Sequence, residues 1–284
     1  MTARAVAHAA RLLSEAGLPS PASDARLLLS YVLGVDASAL VMAQAPSPAQ
    51  ATRLLDLVRR RSAGEPVQHL TGQAYFRHET LAVGPGVFIP RPETELLVDE
   101  VIRFVGSSPP RQHRIVELCA GSGAITLALA HELVDVDLHA VEASPAAFAY
   151  LRRNLSGTGA HLVLGRLHDE LGELDGTVDV VVVNPPYIPS AQRAALPADV
   201  AGNDPDEALF GGEDGLDVIR AVAEAGQRLL RPGGLLVCEH HQEHQCEVAA
   251  LLGAPGFIDA QGHRDLAGRP RYVTSRRAHG RIGP

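Results

Sequence analysis

From Arg114 to Leu252 the sequence switches repeatedly between short apolar runs and longer stretches of helical period. No other feature limits the possible folds so strongly. "RIVELCAG", "VDLHAVEAS", "HLVLG", "DVVVVNPP" and "LLVCEHH" read as strands. "SGAITLALAHEL", "PAAFAYLRRNLSG", "DGLDVIRAVAEAGQRLLRPGG" and "CEVAALLG" read as helices. Ser144 and Pro145 open the second of these, and the third leaves through a Pro-Gly-Gly turn. Strands that alternate with helices form a parallel-rich sheet covered on both faces. The expected class is therefore α/β, with any ligand beyond the carboxyl ends of the central strands. "GFIDAQGHRD" and "RYVTSRR" follow as edge strands.

The first sixty or so residues carry a different pattern, that of consecutive helices. Ala5, Leu12 and Leu13 lie on one stripe, and "ASDARLLLSYVLG" forms a second helix stopped by Gly34. In "SPAQATRLLDLVRRRSAG", Ser47 is the N-cap, Pro48 the first helical residue and Gly64 the end. Its three arginines read as a solvated face suited to the negative end of the helix dipole. The short apolar pieces, glycines and prolines of "QHLTGQAYFRHETLAVGPGVFIPRPETELL" point to a hairpin or two short strands, after which Pro92 opens a helix that ends at Gly106.

Composition narrows the function classes. A formal net charge of −8 argues against a protein that grips nucleic acid through its phosphates. No apolar run is long enough to cross a bilayer and no N-terminal signal pattern is visible. Cys119, Cys238 and Cys246 form no paired spacing, so reduced thiols and a cytoplasmic location are expected.

"VELCAGSGAITLALA" carries the first chemistry. Glu117 closes a strand, and Ala120, Gly121, Ser122 and Gly123 make a small-residue turn into a helix. Glycines there allow positive φ and close approach of a ligand. A dinucleotide loop needs a third glycine where this chain has Thr126. The loop therefore suits a ligand without phosphates. Glu142 ends the next strand, about 20 residues on, where an acid accepts from ribose hydroxyls. A ribose, an adenine, a sulfonium and no phosphate describe S-adenosylmethionine.

"DVVVVNPPYIP" carries the second. Asn184 emerges at the same sheet edge as the glycine loop. Its side-chain oxygen accepts from an –NH2 group, the Pro185 carbonyl accepts a second hydrogen bond, Pro186 stiffens the corner and Tyr187 offers an aromatic face. Together they would clamp a planar amine or amide for alkylation on nitrogen.

"EPVQHLTGQAYF", "VFIPRPETELLV", "ELCAGSGAITLALA", "NPPYIP", "DEALFGGEDGLDVIR", "LRPGGLLVCE" and "RDLAGRPRY" occur in an order that resembles the bacterial release-factor glutamine methyltransferases. "NPPY" also occurs in enzymes that methylate amino groups of DNA and RNA, whereas "IPRPETE" and "GGEDGL" are more specific. The resemblance implies a helical domain over residues 1–72 that docks peptide chain release factors and a hairpin linker over 73–90. It implies a seven-stranded class I S-adenosylmethionine-dependent methyltransferase domain over 91–284. It implies methyl transfer to N5 of the glutamine in the Gly-Gly-Gln motif of release factors, with no metal and no nucleic-acid or membrane partner. Cys119, Ala120, Gly121, Ser122, Gly123, Glu142 and Asn184 would then hold the cofactor, and Asn184, Pro185, Pro186 and Tyr187 the substrate amide.

The chain departs from the family at Cys119, where a glycine is expected, at Glu142, where an aspartate is, and at Arg166, where an acid near the adenine is. Asp169 could substitute for the last. "EHHQEH" replaces a smaller run, and His240 and His244 have a helical metal-ligand spacing, although His240 falls at a strand end. Cys119 reads as a small buried filler. Two other functions remain open from the residues: methylation of an adenine or cytosine amino group, and cofactor binding with weakened catalysis.

Overall fold

The structure is a computed structural model that describes residues 2–167, 171–196, 200 and 202–280. The chain forms two compact units. The smaller comprises Met1–Gln73, Val83–Pro85 and Leu196–Asn203, and the larger Ala74–Ala82, Gly86–Ala195 and Asp204–Pro284.

In the smaller unit, helices α1 (Thr2–Glu15), α2 (Pro21–Leu33), α3 (Pro48–Ser62) and α4 (Val67–Thr71) surround a core that includes Leu13, Leu28, Leu29, Leu57 and Leu70. The short α4 has too few residues to show a period and is not anticipated by the sequence. Ser47 and Gln50 form a reciprocal capping box at the start of α3. Gly34 ends α2 at a φ of 66°, in the left-handed region. The arginine run is not one solvated face. Arg59 and Arg60 pair at the surface with Asp56 and Glu65, but Arg61 is buried and bonds Asp24 at 2.7 Å. Helical geometry explains the difference, because Arg61 follows Leu54, Leu57 and Val58 by seven, four and three residues and shares their core face.

The larger unit holds a two-stranded hairpin, β1 (Gln73–Phe76) with β2 (Glu79–Ala82), and a seven-stranded sheet. The sheet strands are β3 (His113–Leu118), β4 (Val136–Glu142), β5 (His161–Leu164), β6 (Val178–Val183), β7 (Leu230–Glu239), β8 (Phe257–Arg264) and β9 (Pro270–Arg277). Their order is β5-β4-β3-β6-β7-β9-β8. The first five are parallel, and β9 runs antiparallel to both β7 and β8. This is the sheet of a class I methyltransferase.

Two strand expectations are corrected here. "RYVTSRR" is an inner strand, because β8 and β9 form a hairpin whose second arm inserts beside β7, and only β8 is at the edge. The Pro-Gly-Gly after Arg231 is not an exit turn. It lies inside β7, where a register shift against β6 between Val178 and Val180 accommodates it. Gly234 packs so close to the Asp179 carbonyl that an added Cβ would sit 3.1 Å from it.

Helices α5 (Glu95–Ser107), α6 (Ala124–Glu132), α7 (Pro145–Asn154), α8 (Asp206–Leu209), α9 (Asp217–Leu229) and α10 (Gln245–Leu251) complete the described unit. Pro92–Thr94 is a 3-10 turn that leads into α5, which runs one residue past Gly106. All six residues of β6 are buried, as a strand packed on both faces requires. Strand β3 lies between β4 and β6, so the chain reverses its direction of travel across the sheet there. At the carboxyl ends of the switch point, where ligands of such sheets bind, Leu118 stands beside Val183. No described helix is long and apolar enough to cross a membrane.

Candidate active site

The glycine loop leaves β3 at this switch point. Cys119, Gly121 and Gly123 have φ values of 54°, 56° and 81°. Three left-handed residues in five fold the backbone into a tight cup before α6. Gly123 must be glycine for a second reason, since an added Cβ would lie 2.7 Å from Leu151 of α7. Cys119 bears its left-handed φ at a cost of about 1–2 kcal/mol while its side chain packs on the sheet core. Burial and the nearby Glu142 and Glu117 push its thiol well above the ordinary range, so it is no ready nucleophile. Ala120 and Ser122 are buried, and the Ser122 carbonyl accepts from Asn154 at 2.8 Å.

Two acids stand behind the loop. One Glu142 oxygen accepts from the Gly121 N–H and the other from the Ser144 N–H, each at 2.7 Å. Glu142 therefore ties the ends of β3 and β4 together and retains lone pairs for further donors. Glu117 is 3% exposed and accepts from both the backbone N–H and the hydroxyl of Thr126. Burial pushes its pKa up to about 7, with Thr126 opposing and Glu142 adding to the rise. The loop and Glu142 fit a ligand that carries hydroxyls and positive charge. S-adenosylmethionine has both. Arg166, exposed, follows the end of β5, and Asp169 lies outside the described residues.

Asn184, Pro185, Pro186 and Tyr187 leave β6 beside this loop, and a second segment holds their backbone. The Ile188 N–H donates to the Leu209 carbonyl at 2.9 Å, and the Gly211 N–H to the Ile188 carbonyl at 3.0 Å. An added Cβ on Gly211 would lie 2.5 Å from the Pro186 carbonyl oxygen, and one on Gly215 2.5 Å from that of Tyr187. The glycines of "GGEDGL" thus allow backbone to lie directly on backbone. Asp204 ties down the stretch "IPR": it accepts from the Ile89 N–H at 3.3 Å and pairs with Arg91 at 2.6 Å.

Side chains distant in sequence meet beneath the tetrad. Asn184 Nδ2 donates to Thr94 Oγ1 at 3.1 Å, and Thr94 Oγ1 donates to Glu239 Oε2 at 2.7 Å. The Tyr187 hydroxyl donates to Glu239 Oε1 at 3.1 Å. Glu239 ends β7 with no exposed surface, and burial pushes its pKa up to about 7. Burial, and then the Glu239 charge, push the Tyr187 phenol up as well. Neither Thr94 nor Glu239 is identifiable as a site residue from sequence, although "PETE" and "LLVCE" both belong to the motifs of the resemblance.

His240 and His244 do not build a ligand set with a third group among the described residues; His240 Nδ1 lies 2.8 Å from the His241 carbonyl. Asp137, His139 and His161 bring three potential ligand atoms within 4.8 Å. They sit at the amino-terminal parts of β4 and β5, away from the carboxyl ends. Arg114 already bonds the Asp137 carboxylate, and the two imidazoles stack at 4.7 Å and 21°.

Residues 4–72 match the PrmC N-terminal domain family, and residues 91–198 the methyltransferase small domain family. The chain is 45% identical to a Streptomyces coelicolor protein named release factor glutamine methyltransferase, over 96% of this chain and 97% of that one. It is 44% identical to a protein of the same name from Mycolicibacterium smegmatis, over 96% of each. A Streptomyces pristinaespiralis protein named 4-amino-L-phenylalanine/4-methylamino-L-phenylalanine methyltransferase is 39% identical, over 89% of this chain and 88% of that one. With such identity sustained across both units, the chain belongs to the release factor glutamine methyltransferase family.

Proposed function

We propose that this chain methylates N5 of the glutamine in the Gly-Gly-Gln motif of peptide chain release factors, with S-adenosylmethionine as donor and no metal. The observation that carries the proposal is the adjacency of Asn184 to the glycine loop at the ends of β6 and β3. It sets an amide-binding group next to a cup suited to the donor. S-adenosylmethionine, when bound, supplies an electrophilic methyl carbon. The residues to hold it are Cys119 through Gly123, Glu142 and Asn184.

The difficulty of the reaction lies in the nucleophile, because an amide nitrogen shares its lone pair with its carbonyl. Asn184 Oδ1 and the Pro185 carbonyl accept the two N–H hydrogens and aim the nitrogen. Gripping both favours a pyramidal nitrogen whose lone pair is released for attack. Pro186 keeps the corner rigid, and the Tyr187 ring packs on the planar amide. Orientation of this kind contributes several kcal/mol, up to about 7–11 in the best intramolecular cases. The nitrogen pair forms the N–C bond as the C–S pair returns to sulfur, and one amide proton leaves to water. The helical unit is assigned to docking the release factor, and the cytoplasm is where these substrates are met.

The test is peptide mass spectrometry after incubation with S-adenosylmethionine and a release factor. One added methyl on the Gly-Gly-Gln peptide is expected. Asn184→Ala should abolish it and leave much of the donor affinity, which the glycine loop and Glu142 carry, intact. Methylation of a nucleic acid or a free aromatic amine, with the peptide unmodified, would reassign the substrate.

A further inference from the structure

We propose that Thr94 and Glu239 are positioning residues that determine which end of the Asn184 amide faces the substrate, and that this orientation is held only while Glu239 is charged. The inference rests on the glutamine-amide assignment above and explains how its clamp is set.

The side chain of Asn184 can turn over, exchanging an acceptor for a donor at the site. A clamp for an –NH2 group works only with the oxygen outward. Nothing in Asn184 itself makes that choice. Thr94 makes it, because a hydroxyl has one proton to give. Charged Glu239 is an acceptor only, so Thr94 donates to it over 2.7 Å. Thr94 Oγ1 then has only lone pairs for Asn184, and the group 3.1 Å away must be the Nδ2 donor. Oδ1 is thereby turned outward. The Tyr187 hydroxyl, donating to the other Glu239 oxygen, is set by the same charge.

Protonation reverses the chain. A neutral Glu239 donates to Thr94, whose proton is freed for Asn184, and the amide is then stable with oxygen inward and Nδ2 outward. An outward donor meets the hydrogens of the substrate amide and cannot grip it. The groups that face Glu239 come from each element around it. Thr94 and Glu93 stand on the turn before α5, Tyr187 on the loop after β6, and Arg271 on β9. Arg271 favours the charge and lies 3.8 Å from Glu93, which opposes it. Burial is the largest influence and places the transition near neutral pH, at about 7.

Thr94→Val keeps the shape and removes the hydroxyl, and Thr94→Ser keeps the hydroxyl. With the full chain, saturating S-adenosylmethionine and a release factor, wild-type kcat should fall as pH drops below 7. Thr94→Val should lower kcat by about tenfold or more with unchanged donor affinity, and should lower the melting temperature as the buried Glu239 carboxylate loses a partner. Its kcat should also lose the pH dependence between about pH 6 and 8. Thr94→Ser should restore both the rate and the acid limb. The proposal is overturned if Thr94→Val keeps the wild-type rate and profile, or if Thr94→Ser fails to rescue, which would mark a packing role. A wild-type chain that leaves the Gly-Gly-Gln peptide unmethylated overturns the substrate assignment and this inference with it.

Discussion

Single residues here do two things at once. Glu142, proposed to hold the donor, already fastens the glycine loop to the start of α7 through two backbone N–H groups. Glu117 binds the first turn of α6 and has no exposed face from which to meet a ligand directly. Its pKa is raised from 4.5 to about 7, so the folded state holds its proton more tightly than the unfolded one. The associated stability is fully present below about pH 4.5 and is lost as pH rises through 7, a change of about 3 kcal/mol. Glu117→Gln removes that dependence. Urea unfolding of the free enzyme should show the variant gaining on the wild type between pH 5 and pH 8. An equal difference at both values would mean that Glu117 is charged throughout.

At the scale of elements, the tetrad rests on the segment between α8 and α9. The segment from α8 to α9 lies backbone to backbone on Pro186, Tyr187 and Ile188, and the close approach at Gly211 leaves no room for a methyl group. Gly211→Ala would meet two carbonyl oxygens, at 2.5 and 2.6 Å. Overpacking of this kind costs about 1–3 kcal/mol. A displacement of the clamp by about 1 Å lowers kcat on the order of a hundredfold. Gly106→Ala is the control, since its added Cβ meets nothing. Single-turnover methylation of the two variants separates clamp geometry from a general intolerance of alanine for glycine.

Across the whole molecule, donor chemistry resides in one compact unit and the proposed docking in the other. The smaller unit relies on the buried Asp24–Arg61 pair, whose side chains are each 8% exposed. Removal of one partner from such a pair leaves an uncompensated charge and costs about 3–5 kcal/mol. Asp24→Ala should destabilise the helical unit and lower methylation of the release factor. Donor affinity, measured by calorimetric titration, should stay near wild type because the glycine loop and Glu142 lie in the larger unit. Loss of donor affinity in this variant would show that the two units do not divide the work.

The alternation of strands and helices from Arg114 onward, the glycine loop, the Asn-Pro-Pro-Tyr corner and the capping of α3 are legible in the chain alone. Each depends on residues a few positions apart, where periodicity, turn chemistry and caps act. Arg61 was readable in principle from its helical spacing, but a charge at the end of a helix has a surface explanation that competes. That β9 lies inside the sheet follows from long-range pairing, because hairpin insertion is not written in any local pattern. The same holds for the group that sets the Asn184 amide. Thr94 is 90 residues from Asn184 and 145 from Glu239. Their meeting depends on β6 and β7 ending side by side and on the turn before α5 lying within hydrogen-bond reach of both. Hydrogen bonds at that separation carry no periodic signal, so the chain order shows the Asn-Pro-Pro-Tyr corner but not the groups bonded beneath it.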